Sequence, residues 1–206
     1  MALKSNEQSS ELYFNLANAY YKINAIAPSI YNYEKALLIS PNDPEILNNL
    51  KFAKNRLIDE IKETPQVGFG KLLQNFTSNF HFDTWAYLAV TMGFLLIGCF
   101  VGYYFSAFAK TKRLFFSGFT IALILMICCI SAGFYEKSIF DNERPAIIFS
   151  EEIDLQNEPK LAANVVVKLH EGTKVYVIET LDNWKKVTLQ DGTLGWLPSN
   201  VIKEIK

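Results

Sequence analysis

The pattern of hydrophobic and polar positions divides the chain into three. From residue 10 to residue 63, apolar positions recur every three or four residues. Tyr13, Leu16, Ala17 and Tyr20 make one stripe, and Ile46, Leu50, Ala53, Leu57 and Ile61 another. That period predicts amphipathic helices. The polar face of the second stripe carries Asn49, Lys51, Asn55, Asp59 and Lys62. Phe69, Leu72, Leu73, Phe76 and Phe80 repeat the helical spacing opposite Lys71, Gln74, Asn75, Ser78 and Asn79. Two uncharged runs follow, 26 residues at Thr84–Ala109 and 22 at Leu114–Tyr135. Beyond a polar linker at 136–145 the period falls to two. It predicts short strands at Ala146–Ser150, Val165–His170, Lys174–Thr180, Trp184–Leu189, Thr193–Leu197 and Val201–Ile205, with a hairpin turn at Asp191-Gly192. So many short strands in one small segment predict a barrel.

The two uncharged runs predict a membrane hairpin. At about 1.5 Å per residue, either helix exceeds the roughly 30 Å hydrocarbon core. In lipid a helix is the only open-chain form that satisfies its own backbone. Spans at 84–109 and 114–135 leave Lys110-Thr111-Lys112-Arg113 as the connecting loop, with three positive charges. Short basic loops stay cytoplasmic, so both flanking parts are expected on the other side. Trp85, Tyr87 and Tyr135 fall at the outer ends, where aromatic rings favour the interface, and Tyr103 and Tyr104 towards the inner end. Neither span holds an Asp, Glu, Lys, Arg or His, which argues against a proton relay or transporter. Gly98, Gly102 and Ser106, and Gly118 with Ala122, are spaced by four and predict close packing of the spans.

Charge and composition narrow the function. Half of the 206 residues are hydrophobic. Residues 1–83 hold 8 basic and 9 acidic residues, and 136–206 hold 9 and 12. Neither part is basic, so nucleic acid is not an expected partner. Cys99, Cys128 and Cys129 all lie in the apolar runs, which leaves no disulfide framework and no thiolate metal site. His81 and His170 have no second ligand at metal spacing. No Cys-His or Ser-His-Asp set and no glycine-rich phosphate loop is present, so neither a catalytic residue, a metal nor a cofactor is expected.

The first part is specific in its details. Tyr13, Leu16, Ala17, Tyr20, Ser29, Tyr33, Ala36 and Pro41 fall at the defining positions of a 34-residue helical repeat over residues 10–43. The text LYFNLANAYYK followed by YEKALLISPND resembles the tetratricopeptide family. Pro28 is expected to open the second helix and Pro41 to end it. Asp43-Pro44 then starts a capping helix over 44–63, with Asp43 as N-cap. Thr64-Pro65 ends it. The resemblance implies an all-α unit with a concave groove, and Asn15, Asn18, Tyr21, Lys22 and Asn49 are its candidate contacts. They bind a peptide backbone and carboxylate, or form a solvated helix face. Ala2 and Leu3 fit the end of a preceding repeat, and residues 1–9 hold no signal peptide. An upstream portion of the natural protein is therefore expected. The segment at 64–83 either lies in the headgroup plane or folds back on the capping helix.

The last part carries a second resemblance. Gly192-Thr193-Leu194-Gly195-Trp196-Leu197-Pro198-Ser199-Asn200-Val201 is similar to the end of SH3 domains. Glu171-Gly172-Thr173-Lys174-Val175 and Asn183-Trp184 resemble the bacterial type. The resemblance implies an all-β SH3-like barrel over 146–206, with Trp184 and Pro198 at groove positions. Where the eukaryotic pattern has a tyrosine after the asparagine, this chain has Val201. Trp184 is either a groove residue or core. Glu151, Glu152, Asp154 and Glu158 make the expected first loop acidic, either a solvated loop or a surface for basic peptides or cell-wall stems.

The whole order is repeat, capping helix, aromatic linker, two-span hairpin and SH3. It resembles the BatE-type proteins of the bacterial aerotolerance operon. That resemblance implies periplasmic soluble parts on an inner-membrane anchor. It also implies partners with von Willebrand A domains and a MoxR-type ATPase. The expectation is a multidomain membrane adaptor without enzymatic activity. Its alternative is a peptidoglycan-tethering or envelope-stress protein that acts through the SH3-like domain.

Overall fold

The computed structural model describes residues 9–61 and 68–206. The readings of Ala2, Leu3 and the Thr64-Pro65 break lie outside them. The chain divides into two compact units. One joins the N-terminal helices to the C-terminal sheet; the other is residues 68–141.

Among the described residues, three helices open the first unit. Helix α1 spans Ser10–Lys22, and the Ser9 side chain accepts from the Leu12 amide as its N-cap. Helix α2 spans Ile26–Ile39. It starts two residues before Pro28, which was expected to open it. Within the first turn the missing proline N–H has no intrahelical acceptor to lose, so the ring is tolerated there. Ala17 and Ala36 are fully buried, and Ser29 Oγ donates to the Ala17 carbonyl at 2.9 Å across the α1–α2 contact. Helix α3 spans Pro44–Lys54, with Asp43 Oδ1 accepting from the Glu45 and Ile46 amides.

Helix α3 stops well short of the capping helix expected over 44–63. Leu57 and Ile61 were expected on its stripe but lie in irregular chain beyond it. Both still find apolar cover, Leu57 against the helical core and Ile61 against the sheet core.

Seven antiparallel strands follow: β1 Pro145–Ile148, β2 Glu152–Gln156, β3 Val165–His170, β4 Lys174–Leu181, β5 Trp184–Thr188, β6 Leu194–Pro198 and β7 Ile202–Glu204. A 3-10 turn, Ser199–Val201, leads into β7. Their order is β3-β2-β6-β5-β4-β1-β7. Leu169 from one edge strand and Ile202 from the other share a core with Leu155, Val175, Val187 and Leu197, so the sheet curls around its own interior. All six predicted strands appear within two residues at each end, the 3-10 turn taking Val201 from the last. The remaining strand is β2, which the sequence reading assigned to an acidic loop. Its Ile153 and Leu155 point inward at period two while its carboxylates sit on the other face.

The sheet is built onto the helices. Ile147 and Ile205 belong to the helical core rather than the sheet's own. Gly172 has φ +86°, and a Cβ there would lie 2.6 Å from Leu57 and 3.3 Å from Ile30. Only glycine takes that conformation cheaply while the backbone runs so close to the helices.

The second unit holds α4 Phe69–Thr77, α5 Phe82–Phe105 and α6 Ala109–Asn142. Both α5 and α6 are long and apolar enough to cross a membrane. The turn between them is residues 106–108, so the basic Lys110–Arg113 cluster opens α6 rather than forming the loop. Residues 136–142 likewise continue α6 instead of forming a linker, with Lys137 paired to Asp141 one turn on. Helix α4 folds onto the outer ends of this pair. Trp85 Nε1 donates to the Thr77 carbonyl at 3.0 Å, the Thr77 hydroxyl donates to Glu136, and Phe76 and Phe80 pack on the Trp85 ring. Trp85 is consequently covered, whereas Tyr87 is exposed. Of the small residues, Gly102 lies against Phe115, Gly118 against Cys99, and Ala122 is buried, but Gly98 faces open space.

Candidate functional site

Of the five proposed groove residues on the helices, Asn15 and Lys22 are exposed, and Asn18, Tyr21 and Asn49 are half-buried. Asn18 and Asn49 meet: Asn18 Oδ1 accepts from Asn49 Nδ2 at 3.1 Å and from the Tyr33 hydroxyl. These bonds tie α1 to α2 and α3. Tyr21 lies under the Arg56 guanidinium, 4.4 Å from the ring centroid, and Arg56 in turn donates to Asn24 Oδ1 at 2.8 Å. Asn24 holds a left-handed φ of 60° at the α1–α2 corner. Three of the five side chains therefore serve the helix packing, and two remain for a ligand.

The sheet brings Trp184 and Pro198 together. They are direct partners across β5 and β6, and the next pair on the same face is Lys186 with Trp196. The Lys186 ammonium lies 5.9 Å from the Trp196 ring centroid. The alternate residues, Val187 and Leu197, fill the core. Strand period thus places both tryptophans half-buried on the outer face, flanked by exposed Leu181 and Leu194. Trp196 was not among the sequence candidates. It stands two residues before Pro198 and so shares its face, a signal that the alternation of Leu194-Gly195-Trp196-Leu197-Pro198 already carries.

The acidic candidates lie on or just before β2, the strand next to β6 and its Trp196. Glu151 is exposed just before β2. Glu152 pairs with Lys168 of β3 at 2.6 Å, and Asp154 stands opposite Lys168 in the β2–β3 register. Strand β6 separates all three from Trp184. The expected acidic loop is a strand with paired charge.

A further group of charges, unseen in the sequence reading, joins helices to sheet. Asp59 receives three hydrogen bonds, from the His170 amide at 2.7 Å, the His170 ring at 2.7 Å and the Thr173 hydroxyl at 2.6 Å. Burial disfavours its charge, but these donors outweigh that and hold the carboxyl below its usual range. Glu34 on α2 is buried and takes Lys174 at 2.6 Å and Lys54 at 3.1 Å. Burial opposes both Glu34 and Lys174, yet each holds the other charged: the carboxyl is lowered and the ammonium raised. At the sheet's far edge Glu204 takes Arg144 and Lys185, which overcome its burial and keep it ionised. The Tyr31 hydroxyl donates to the Glu204 carbonyl at 3.3 Å, and Lys203 stacks over the Tyr31 ring. These contacts fix the sheet on α2 and leave the Trp184–Trp196 face turned elsewhere on the sheet.

Residues 150–204 match the family model of the bacterial SH3 domain. No curated protein sequence matches the chain.

Proposed function

We propose that the chain is a non-enzymatic, membrane-anchored adaptor that binds other proteins through the outer face of its SH3 domain. The observation that carries this reading is the pairing of Trp184 with Pro198, beside Trp196, on a domain in the same chain as two membrane-length helices. Aromatic rings at a half-buried surface supply contact area at low entropic cost and are enriched where partners bind. The helical part, which resembles a tetratricopeptide repeat, adds the exposed Asn15 and Lys22 as a second contact. In the finer reading the adaptor is BatE-like, in the bacterial inner membrane, with von Willebrand A-domain proteins and a MoxR-type ATPase as its partners.

The basic residues Lys110, Lys112 and Arg113 sit at the closed end of the helix pair. By the positive-inside rule that end faces the cytoplasm, and both soluble parts face the periplasm. Single cysteines at Ser9 and Asn200 should then react with a membrane-impermeant thiol reagent in cells whose outer membrane admits it. One at Ala107 should react only after the inner membrane is opened. The reverse pattern would refute the orientation.

The bacterial SH3 match also favours a second reading, in which the same face binds peptidoglycan. Capture of the full chain by wall sacculi, compared with co-purification of membrane proteins, separates the two. Retention of both activities by Trp184→Ala would remove this face from either.

A further inference from the structure

The outer half of the α5–α6 pair carries a groove along one side. Near the basic end, Phe115 fills the space beside Gly102 and Cys99 that beside Gly118, and Ala122 is fully buried. Towards the outer ends the helices still meet at Gly133, where a Cβ would lie 3.3 Å from Trp85, but from Met126 and Gly93 outward they border a groove of about 690 Å³. Ala86, Ala89 and Gly93 line it on α5, and Met126, Ile130 and Gly133 on α6. At the same outer ends α4 covers Trp85. Its polar lining is confined to the mouth, where Asp83 and Lys137 stand on facing helices.

We propose that this cleft holds one acyl chain of a zwitterionic phospholipid of the phosphoethanolamine type, with the headgroup at Asp83 and Lys137. The length of the cleft argues for a lipid over a protein helix. From Asp83 to Gly93 the helix rises about 15 Å, half of the roughly 30 Å hydrocarbon core. A crossing helix needs the full thickness, whereas a chain anchored in one leaflet needs half. The charges at the mouth select the headgroup. Lys137 attracts a phosphate, but Asp83 and Asp141 stand beside it, 62% and 55% exposed at their side chains. An anionic headgroup without an amine meets two carboxylates; an ethanolamine ammonium is drawn to them. Asp83 lies 3.2 Å from the His81 ring and Lys137 3.3 Å from Asp141, and both contacts leave the carboxylates more than half exposed and able to exchange partners.

The inference rests on the membrane-spanning reading above, and the experiment separates the two. The full chain is first tested for resistance to alkaline carbonate extraction, then purified in mild detergent. Native mass spectrometry counts bound lipid from an equimolar mixture of phosphatidylethanolamine and phosphatidylglycerol. One phosphatidylethanolamine per chain is expected, in at least tenfold preference. Gly93→Leu with Ala89→Leu fills the cleft and should cut it at least tenfold. Gly98→Leu, on an open face away from the cleft, should leave it unchanged. Asp83→Asn with Asp141→Asn should abolish the headgroup preference, which decides the matter even if the filled variant loses helicity. Release by carbonate overturns the membrane reading and this one together. A carbonate-resistant chain with no headgroup preference, or with undiminished lipid in the filled variant, overturns this one alone. So does disulfide pairing of two copies through Ala89→Cys.

Discussion

Replacing Asp59 by alanine tests whether helices and sheet form one stable body. The carboxylate accepts from three donors on the sheet, and the change leaves all three without it. Thr173 is 2% exposed, so its hydroxyl becomes a buried donor without an acceptor, at about 1–3 kcal/mol. The His170 amide loses its acceptor as well. The ring contact is partly exposed and screened, and adds about 1 kcal/mol or less. These terms overlap, so a loss of about 3 kcal/mol is expected. Urea unfolding of the full chain in detergent measures it, with Trp85→Phe so that Trp184 and Trp196 report the sheet. The pH dependence supplies a second constraint. A carboxyl whose folded pKa is depressed contributes stability above its unfolded value, near 4, and loses it as pH falls through the folded one. The gap between parent and variant should therefore hold from pH 7 to about pH 5 and shrink below about pH 4. A gap under about 1 kcal/mol at pH 7, or one undiminished at pH 3, would refute the reasoning.

Glu34→Gln should cost about 3 kcal/mol, because it leaves the Lys174 and Lys54 ammonium groups facing a buried neutral side chain. The double variant Glu34→Leu with Lys174→Met should recover most of that loss in the same unfolding assay. Gly172→Ala should lower stability by at least about 1 kcal/mol, through a left-handed φ and a clash with Leu57, read as a fall in melting temperature. Trp184→Ala should cost much less than the roughly 3–5 kcal/mol of a buried tryptophan, yet remove partner capture. A core-sized loss would place its ring in the interior.

Local chemistry was legible and long-range chemistry was not. Asp43-Pro44 marks a helix start because the cap and the proline act on the next few residues. The apolar runs at 84–109 and 114–135 announce long helices because length and lack of charge are properties of the run itself. Leu57 and Ile61 mark the limit of periodicity. Their spacing by four reads as helix, but the helix ends at Lys54. Periodicity records burial, and two residues in irregular chain can be buried by different neighbours at helical spacing. The strand at 152–156 was missed although Ile153 and Leu155 alternate with polar residues. Its carboxylates suggested solvent, but Lys168, on the neighbouring strand, neutralises one of them.

Asp59 is the instructive case. In the helical stripe it reads as one more solvated charge on a polar face. Its partner His170 lies 111 residues away, beyond two membrane-length helices, so no local rule connects them. The Gly172 turn beside His170 carries half of the signal: a left-handed glycine marks a place where backbone is approached closely. What approaches it is Leu57, from the same irregular segment that carries Asp59. The chain thus leaves the helical region, passes through the second unit and returns to pack its sheet on the helices it left. A partner held at the Trp184–Trp196 face would therefore depend on a sheet that the helices help to stabilise. Loss of Asp59 should weaken that capture without touching the face, which makes partner binding by Asp59→Ala a direct measure of how far the two parts act as one.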